Sequence, residues 1–363
     1  MKKISTHVWK LADPYEFKNG WPCIIEGNST LFLLDVGWGW EVDFKKVRSF
    51  KDNSPSYELE IEVAGHLKSI LDCAVQLGKP VNNIILTHSH MDHSANIKII
   101  NQTYNTINEY YRRKGLFNGD IIHPRLIHHR LFPQGKYQCR HYPSMKISKR
   151  ENSKIDGLNF TFIPTPGHSI KDEDISILLH DDKILFCGDI CQPLGASYNQ
   201  VDDGSPTPIP HHFQCDKVMD SLKLLMKEDF DVLQTGHGKT FQKKPGLNAL
   251  EVAFETLRRM QSISSWVSRK NPDMTEEEIC NLVFTKISRE RRFPRSKSEH
   301  RKMNYRYGKT DFERYDLPTI MNMLNIIREQ KFQQKKNYGS KPYENKYRKP
   351  RLKKSVKTRS FQK

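Results

Sequence analysis

Thr87-His88-Ser89-His90-Met91-Asp92-His93 places three imidazoles and a carboxylate within six consecutive positions, in the order His-x-His-x-Asp-His. The residues leading into it, Asn83-Ile84-Ile85-Leu86-Thr87, are apolar and β-prone and predict a buried strand. The ligand-rich stretch therefore begins where a rigid strand ends. Imidazole nitrogens and carboxylate oxygens are the donors that zinc and related metals take. Four such groups in one short turn cannot all ligate one ion. An extended start aims His88 and His90 together, while Asp92 and His93 follow on the turn and point elsewhere, which predicts two metals rather than one. Isolated histidines such as His7, His66, His123, His180 and His300 read as ordinary hydrogen-bonded or half-exposed side chains.

Four further segments end an apolar strand on a side chain able to hold a metal, three of them through a glycine. They are Phe160-Thr161-Phe162-Ile163 leading through Pro166-Gly167 to His168, Lys183-Ile184-Leu185-Phe186-Cys187 leading through Gly188 to Asp189, Phe230-Asp231-Val232-Leu233-Gln234-Thr235 leading through Gly236 to His237, and Leu31-Phe32-Leu33-Leu34 leading to Asp35. Open α/β sheets place their chemistry at strand ends.

As an ordered set, Asp35, His88/His90/Asp92/His93, His168, Asp189 and His237 resemble the motifs of the metallo-β-lactamase superfamily over roughly residues 1 to 240. The resemblance implies an αββα sandwich: two mixed sheets back to back with helices outside. It implies that His88, His90 and His168 hold one ion and that Asp92, His93 and His237 hold a second. Asp189 bridges both, and Asp35 orients the first ligand loop. The cofactor implied is a pair of divalent ions, Zn2+ first, with Mn2+ or Fe2+ as alternatives. A bridging hydroxide then attacks near pH 7, and Asp92 serves in proton transfer, so Asp92 and Asp189 are the candidate catalytic carboxylates. His90 stands where the diiron oxygen-reducing flavoproteins of this fold carry Glu, and Asp189 stands where some β-lactamases carry Cys. No long insertion separates Asp189 from His237, which sets the chain apart from the larger RNA-processing nucleases. Ala249 to Glu290 resembles the helical C-terminal part of small thioesterase-like and ribonuclease-like members.

Substrate choice falls to the loops. Candidates are His128 and His129 in the stretch from Ile122 to Pro143, Tyr198 just past the bridging acid, and His211 and His212 in the proline-rich stretch Pro206 to Phe213.

The chain has 363 residues, enough for one large domain plus an appendage. The sequence divides into 1–245 as catalytic domain, 246–329 as a helical region (winged-helix-like or a plain helical cap) and 330–363 as a basic disordered tail. Leu59 to Leu77, stopped by Gly78, reads as an outer helix with Val63, Leu67, Ile70, Leu71 and Ala74 on one face. Leu247 to Val267 reads as a helix broken by Asn271-Pro272-Asp273. Thr275 with Glu278 reads as a capping box before Ile279, and Leu317-Pro318 starts a last helix. No apolar run is long enough to span a membrane, no signal-peptide core opens the chain, and seven scattered cysteines fit a reducing cytoplasm. Cys187 and Cys191 flank Asp189, and Cys187 reads as core.

The net charge of +17 lies wholly in the last part of the chain. Arg289 to Lys363 carries 24 Lys and Arg against 7 Asp and Glu, and the rest is balanced. Such a tail attracts polyanions, so RNA is a candidate partner, with aromatics interleaved at Arg291-Arg292-Phe293 and Tyr305-Arg306-Tyr307 suited to stacking. The expected function is hydrolysis of an ester, thioester or lactone. The alternatives are a metal-dependent ribonuclease guided by the tail, and a mononuclear-iron enzyme like the persulfide dioxygenases.

Overall fold

The computed structural model of the chain describes residues 1–11, 22–37, 66–116, 124–136, 142–192, 209–237, 240–289 and 317–339. Seven strands form the first sheet in the order of the chain: β1 (Lys2–Lys3), β2 (Val8–Lys10), β3 (Cys23–Glu26), β4 (Leu31–Leu34), β5 (Val81–Ile85), β6 (Arg125–His129) and β7 (Ser144–Ile147). Its first four strands are antiparallel neighbours, and β4 through β7 run parallel. The second sheet comprises β8 (Glu151–Ile155), β9 (Leu158–Pro164), β10 (Ile175–Leu179), β11 (Ile184–Phe186), β12 (Val232–Gln234) and β13 (Thr240–Gln242). Here β11 and β12 form the one parallel pair among the described residues.

Strand alternation builds three layers of core. Phe32, Leu34, Ile85, Phe160, Phe162, Ile177 and Phe186 point between the sheets, and the Phe32 and Phe160 rings sit 5.1 Å apart. Leu31, Leu33 and Ile84 point the other way, under helices α1 (His66–Leu77) and α3 (Asn96–Arg113). Ile163, Leu185 and Leu233 face a third core under α4 (Cys215–Leu225), α5 (Lys243–Lys270), α6 (Glu276–Arg289) and α7 (Leu317–Gly339). This is the expected αββα sandwich. Burying each large side chain contributes about 1.5–3 kcal/mol before entropy is charged.

The helix signals are borne out within the described residues, α1 being described from His66 of the expected Leu59 to Leu77. Gly78 ends α1 at φ 69°, a left-handed conformation that glycine adopts without strain. Ile70, Leu71 and Ala74 are buried there, while Val63 lies outside the described residues. Thr275 and Glu278 bond reciprocally at the start of α6, closing the capping box.

The C-terminal region is helical among the described residues, as expected, and shares its core with the second sheet. Two expectations are corrected. Arg125–His129 is a buried strand rather than a loop. Residues 330–339, read as disordered, continue α7: Ile320, Met323, Leu324 and Ile327 anchor its start, and the Lys- and Gln-rich remainder has good helix propensity. Most of the basic tail and Tyr198 lie outside the described residues. No helix among the described residues is long and apolar enough to cross a membrane.

Candidate metal centre

The ends of five strands converge on one point. β4 delivers Asp35, β5 delivers His88 and His90, and the short helix α2 (Met91–Ser94) delivers Asp92 and His93. β9 leads to His168, β11 to a 3-10 turn (Gly188–Ile190) holding Asp189, and β12 to His237. Ligand-capable atoms of His88, His90, His168 and Asp189 lie within 4.8 Å of one another, as do those of Asp92, His93 and His237. The seven residues read as ligands thus fall into the two groups expected.

Asp189 joins the groups. One of its carboxylate oxygens lies 3.5 Å from His168 Nε2 and 3.2 Å from His237 Nε2, and the other lies 3.4 Å from His93 Nε2. Two glycines make this approach possible. A Cβ on Gly236 would overlap Asp189 Oδ1, and Gly188 turns at φ 51°.

The donor set fits divalent ions. His88 Nε2 and Asp189 Oδ1 are buried without a hydrogen-bond partner, a costly arrangement unless an ion fills the gap. His168 Nε2 and His90 Nδ1 approach to 2.9 Å, and His93 Nε2 and His237 Nε2 to 3.2 Å. Lone pairs this close repel unless a proton or a cation lies between them.

Three of the seven candidates, His88, His93 and His168, are oriented from behind. Asp35 accepts the Thr87 N–H at 2.8 Å and the Thr87 hydroxyl at 2.8 Å, and holds His93 Nδ1 at 2.7 Å. The Thr87 hydroxyl in turn meets His88 Nδ1 at 3.0 Å, so one acid sets a histidine of each group. Asp35 sits at φ 53°, a conformation that Asp tolerates better than most residues. His168 Nδ1 meets the His211 carbonyl at 2.8 Å. Ser89, between two ligands, bonds Glu173, whose carboxyl is buried and pushed up by that burial. Thr87 and Glu173 escaped the sequence reading. A hydroxyl just before the motif was a visible signal for the first, but nothing local announces the second.

Charge divides the two groups. Burial drives His88 and His168 well below the usual imidazole range and lowers His90, so these three imidazoles are neutral. Burial also opposes charge on His237, but Asp189 and Asp92 outweigh it and hold the imidazolium up to about 10. His93 is likewise raised, against its burial, by Asp189, Asp92 and Asp35. Burial works against the Asp92 carboxylate, yet His93 and His237 bring it down to about 2. Binding an ion at the second group must therefore displace a proton that the first group does not carry, the one lying between His93 Nε2 and His237 Nε2. Between pH 7 and 8 the zinc affinity of Asp92/His93/His237 should rise by about tenfold, and that of His88/His90/His168 far less. The excess slope should fade as pH passes about 10, where His237 loses its proton unaided. Chelator competition at the two pH values reads this, and equal slopes would contradict it.

The substrate candidates separate. The His211 ring is partly exposed and stacks 6.2 Å from His90, with Phe213 5.3 Å beyond, so His211 sits at the mouth. His212 is 1% exposed and packs behind His168, so it faces the core rather than a substrate. His128 and His129 are buried in β6.

The family model of the metallo-beta-lactamase superfamily matches residues 19–237. The uncharacterized protein YobT of Bacillus subtilis (strain 168) is 27% identical over 200 residues, 52% of this chain and 79% of that protein. Among solved structures, a metallo-beta-lactamase family protein from Thermus thermophilus is 14% identical, with 90% of this chain and 94% of that one covered and a TM-score of 0.48. A metallo-beta-lactamase from Pontibacter korlensis is 16% identical, with 71% and 97% covered and a TM-score of 0.46. With more than half its length matched by the family model, and with the family's layered fold, the chain belongs to the metallo-beta-lactamase superfamily.

Proposed function

We propose that the chain is a dinuclear metallo-hydrolase, with zinc as its ions, that cleaves an ester, thioester or lactone. The observation that carries this reading is Asp189, lodged between the two ligand groups and within 3.5 Å of histidines from both, with one carboxylate oxygen making no hydrogen bond. Divalent ions held there supply Lewis acidity toward the scissile carbonyl and make a water acidic enough to attack near neutral pH. The rest is done by the chain. His88, His90 and His168 present neutral nitrogens. Asp92, kept ionised, takes the proton of the attacking water at its carboxylate and returns it to the leaving group. The thiol next to the bridging acid does not compete as nucleophile: its hydrogen bond with Cys187 and its burial hold Cys191 well above the usual range.

The side chains flanking the ligands favour an acyl substrate. Met91 is 52% exposed and Ile170 67% exposed, each within two residues of a ligand, and Phe213 lies 6.4 Å from the His90 ring. An iron-dependent dioxygenase with one ion leaves Asp92, His93 and His237 without a role, although they are gathered as closely as the first group. Ribonuclease activity is the second reading, favoured by the +17 charge concentrated after residue 288.

The test loads the full chain with zinc or manganese and offers acyl esters, thioesters and lactones of graded chain length beside labelled structured RNA. Acyl turnover that improves with chain length is expected. RNA cleavage without acyl turnover would reject the acyl reading in favour of the second.

A further inference from the structure

His168 is held from behind by residues from the far end of the chain. Its Nδ1–H donates to the His211 carbonyl, which leaves Nε2 turned toward His90 and Asp189. The next residue, His212, is pinned by Thr319. The His212 N–H donates to Thr319 Oγ1 at 3.3 Å, and the Thr319 hydroxyl donates to the His212 carbonyl at 3.3 Å. One side chain thus engages both backbone polar groups of a residue 107 positions away. Thr319 is 0% exposed. Asn322, three residues on and so on the same helical face, accepts the Cys215 N–H at 3.0 Å. Cys215 opens α4, and Gln214 before it provides no side-chain cap, so α7 supplies the cap in its place. On the other side of the segment, Phe213 and Gln214 N–H groups donate to the Gly167 carbonyl, at 3.2 and 2.9 Å, next to His168 itself.

We infer that Thr319 and Asn322 are positioning residues of the metal centre: they set the 211–215 segment and, through the His211 carbonyl, aim His168 Nε2 at its ion. The inference rests on reading His88, His90 and His168 as an ion-binding group. It distinguishes the two groups, because among the described residues His93 and His237 lean on Asp35, Asp92 and Asp189. It also makes α7 part of the centre rather than a detachable extension, so cutting the chain before Leu317 disturbs metal binding whether or not any polyanion is involved.

Zinc affinities of the full chain, measured by competition with a chromophoric chelator, test it in wild type, Thr319→Val, Thr319→Ser and Asn322→Ala, alongside thermal melts. Thr319→Val keeps the shape and removes the hydroxyl. It should weaken one of the two ions by about tenfold, the low end of what an outer hydrogen-bond partner contributes. Thr319→Ser should bind as wild type, and Asn322→Ala should weaken the same ion as Thr319→Val. Two ions bound by Thr319→Val with wild-type affinity overturn the inference, as does a Thr319→Ser protein as weak as Thr319→Val. If Thr319→Val does not fold, Asn322→Ala decides, and wild-type affinity there overturns it. A wild-type chain that takes up no zinc removes the metal-centre reading itself, which separates the two failures.

Discussion

Asp189→Ala should abolish turnover, by at least about 10³-fold, and leave the sandwich folded. The rate follows from what the centre supplies: several kcal/mol of charge stabilisation, each 1.36 kcal/mol being tenfold. The carboxylate lies within 3.5 Å of histidines from both groups, so its loss unlinks them rather than weakening one. The fold should persist because Asp189 is in a short turn and the cores on either side are built by Phe186, Leu185 and Leu233. Metal-free Asp189→Ala should be less stable than wild type while still folding, since buried His93 and His237 lose the carboxylate that faces both. The measurement is kcat/KM on whichever acyl substrate turns over, with metal content determined on the same sample. Retained turnover with two ions bound would exclude the bridging role.

Asp35→Ala should damage both binding and stability. Asp35 is 4% exposed and accepts from the Thr87 N–H, the Thr87 hydroxyl and His93. Truncation leaves buried donors unpaired, at about 1–3 kcal/mol each, and places alanine at φ 53°, where a side chain other than Asp or Asn is strained by roughly 1 kcal/mol or more. A loss on the order of 3–5 kcal/mol is expected in denaturant melts. Because Asp35 sets His93 directly and His88 through the Thr87 hydroxyl, affinity for both ions should fall by about 10- to 100-fold. Asp35→Asn separates the effects. It suits the left-handed backbone and can still accept from Thr87, so stability should largely return, while His93 loses its anionic partner and metal affinity stays low. An Asn variant with wild-type affinity would mean that Asp35 is structural only.

The seven ligand candidates were legible because their signals are local. His-x-His-x-Asp-His is contiguous, and His168, Asp189 and His237 each follow an apolar strand and a glycine. The glycines are there for a reason that local reading captures in part: at Gly236 the ligands come too close for a Cβ. Helix ends were legible for the same reason, as Thr275 with Glu278 and Gly78 show. His212 was misread because its segment, bounded by prolines, has the composition of a surface rim. What buries it is α7, and no property of residues 206 to 213 announces a helix 107 positions downstream. His128 and His129 were misread because charged and aromatic neighbours obscured a short strand that pairs with β5 and β7.

By itself, then, the sequence determined the layered class of the fold, the strand ends that carry the chemistry and, through the family resemblance, the ligand candidates and their division around Asp189, since these depend on periodicity and on donor types within a few residues of one another. Only the tertiary structure decided how burial and charge differ between the two groups and which residues stand behind them. Those properties depend on distance, burial and hydrogen bonds between segments far apart in the chain, as where Thr319 meets His212 and Asp35 meets His93.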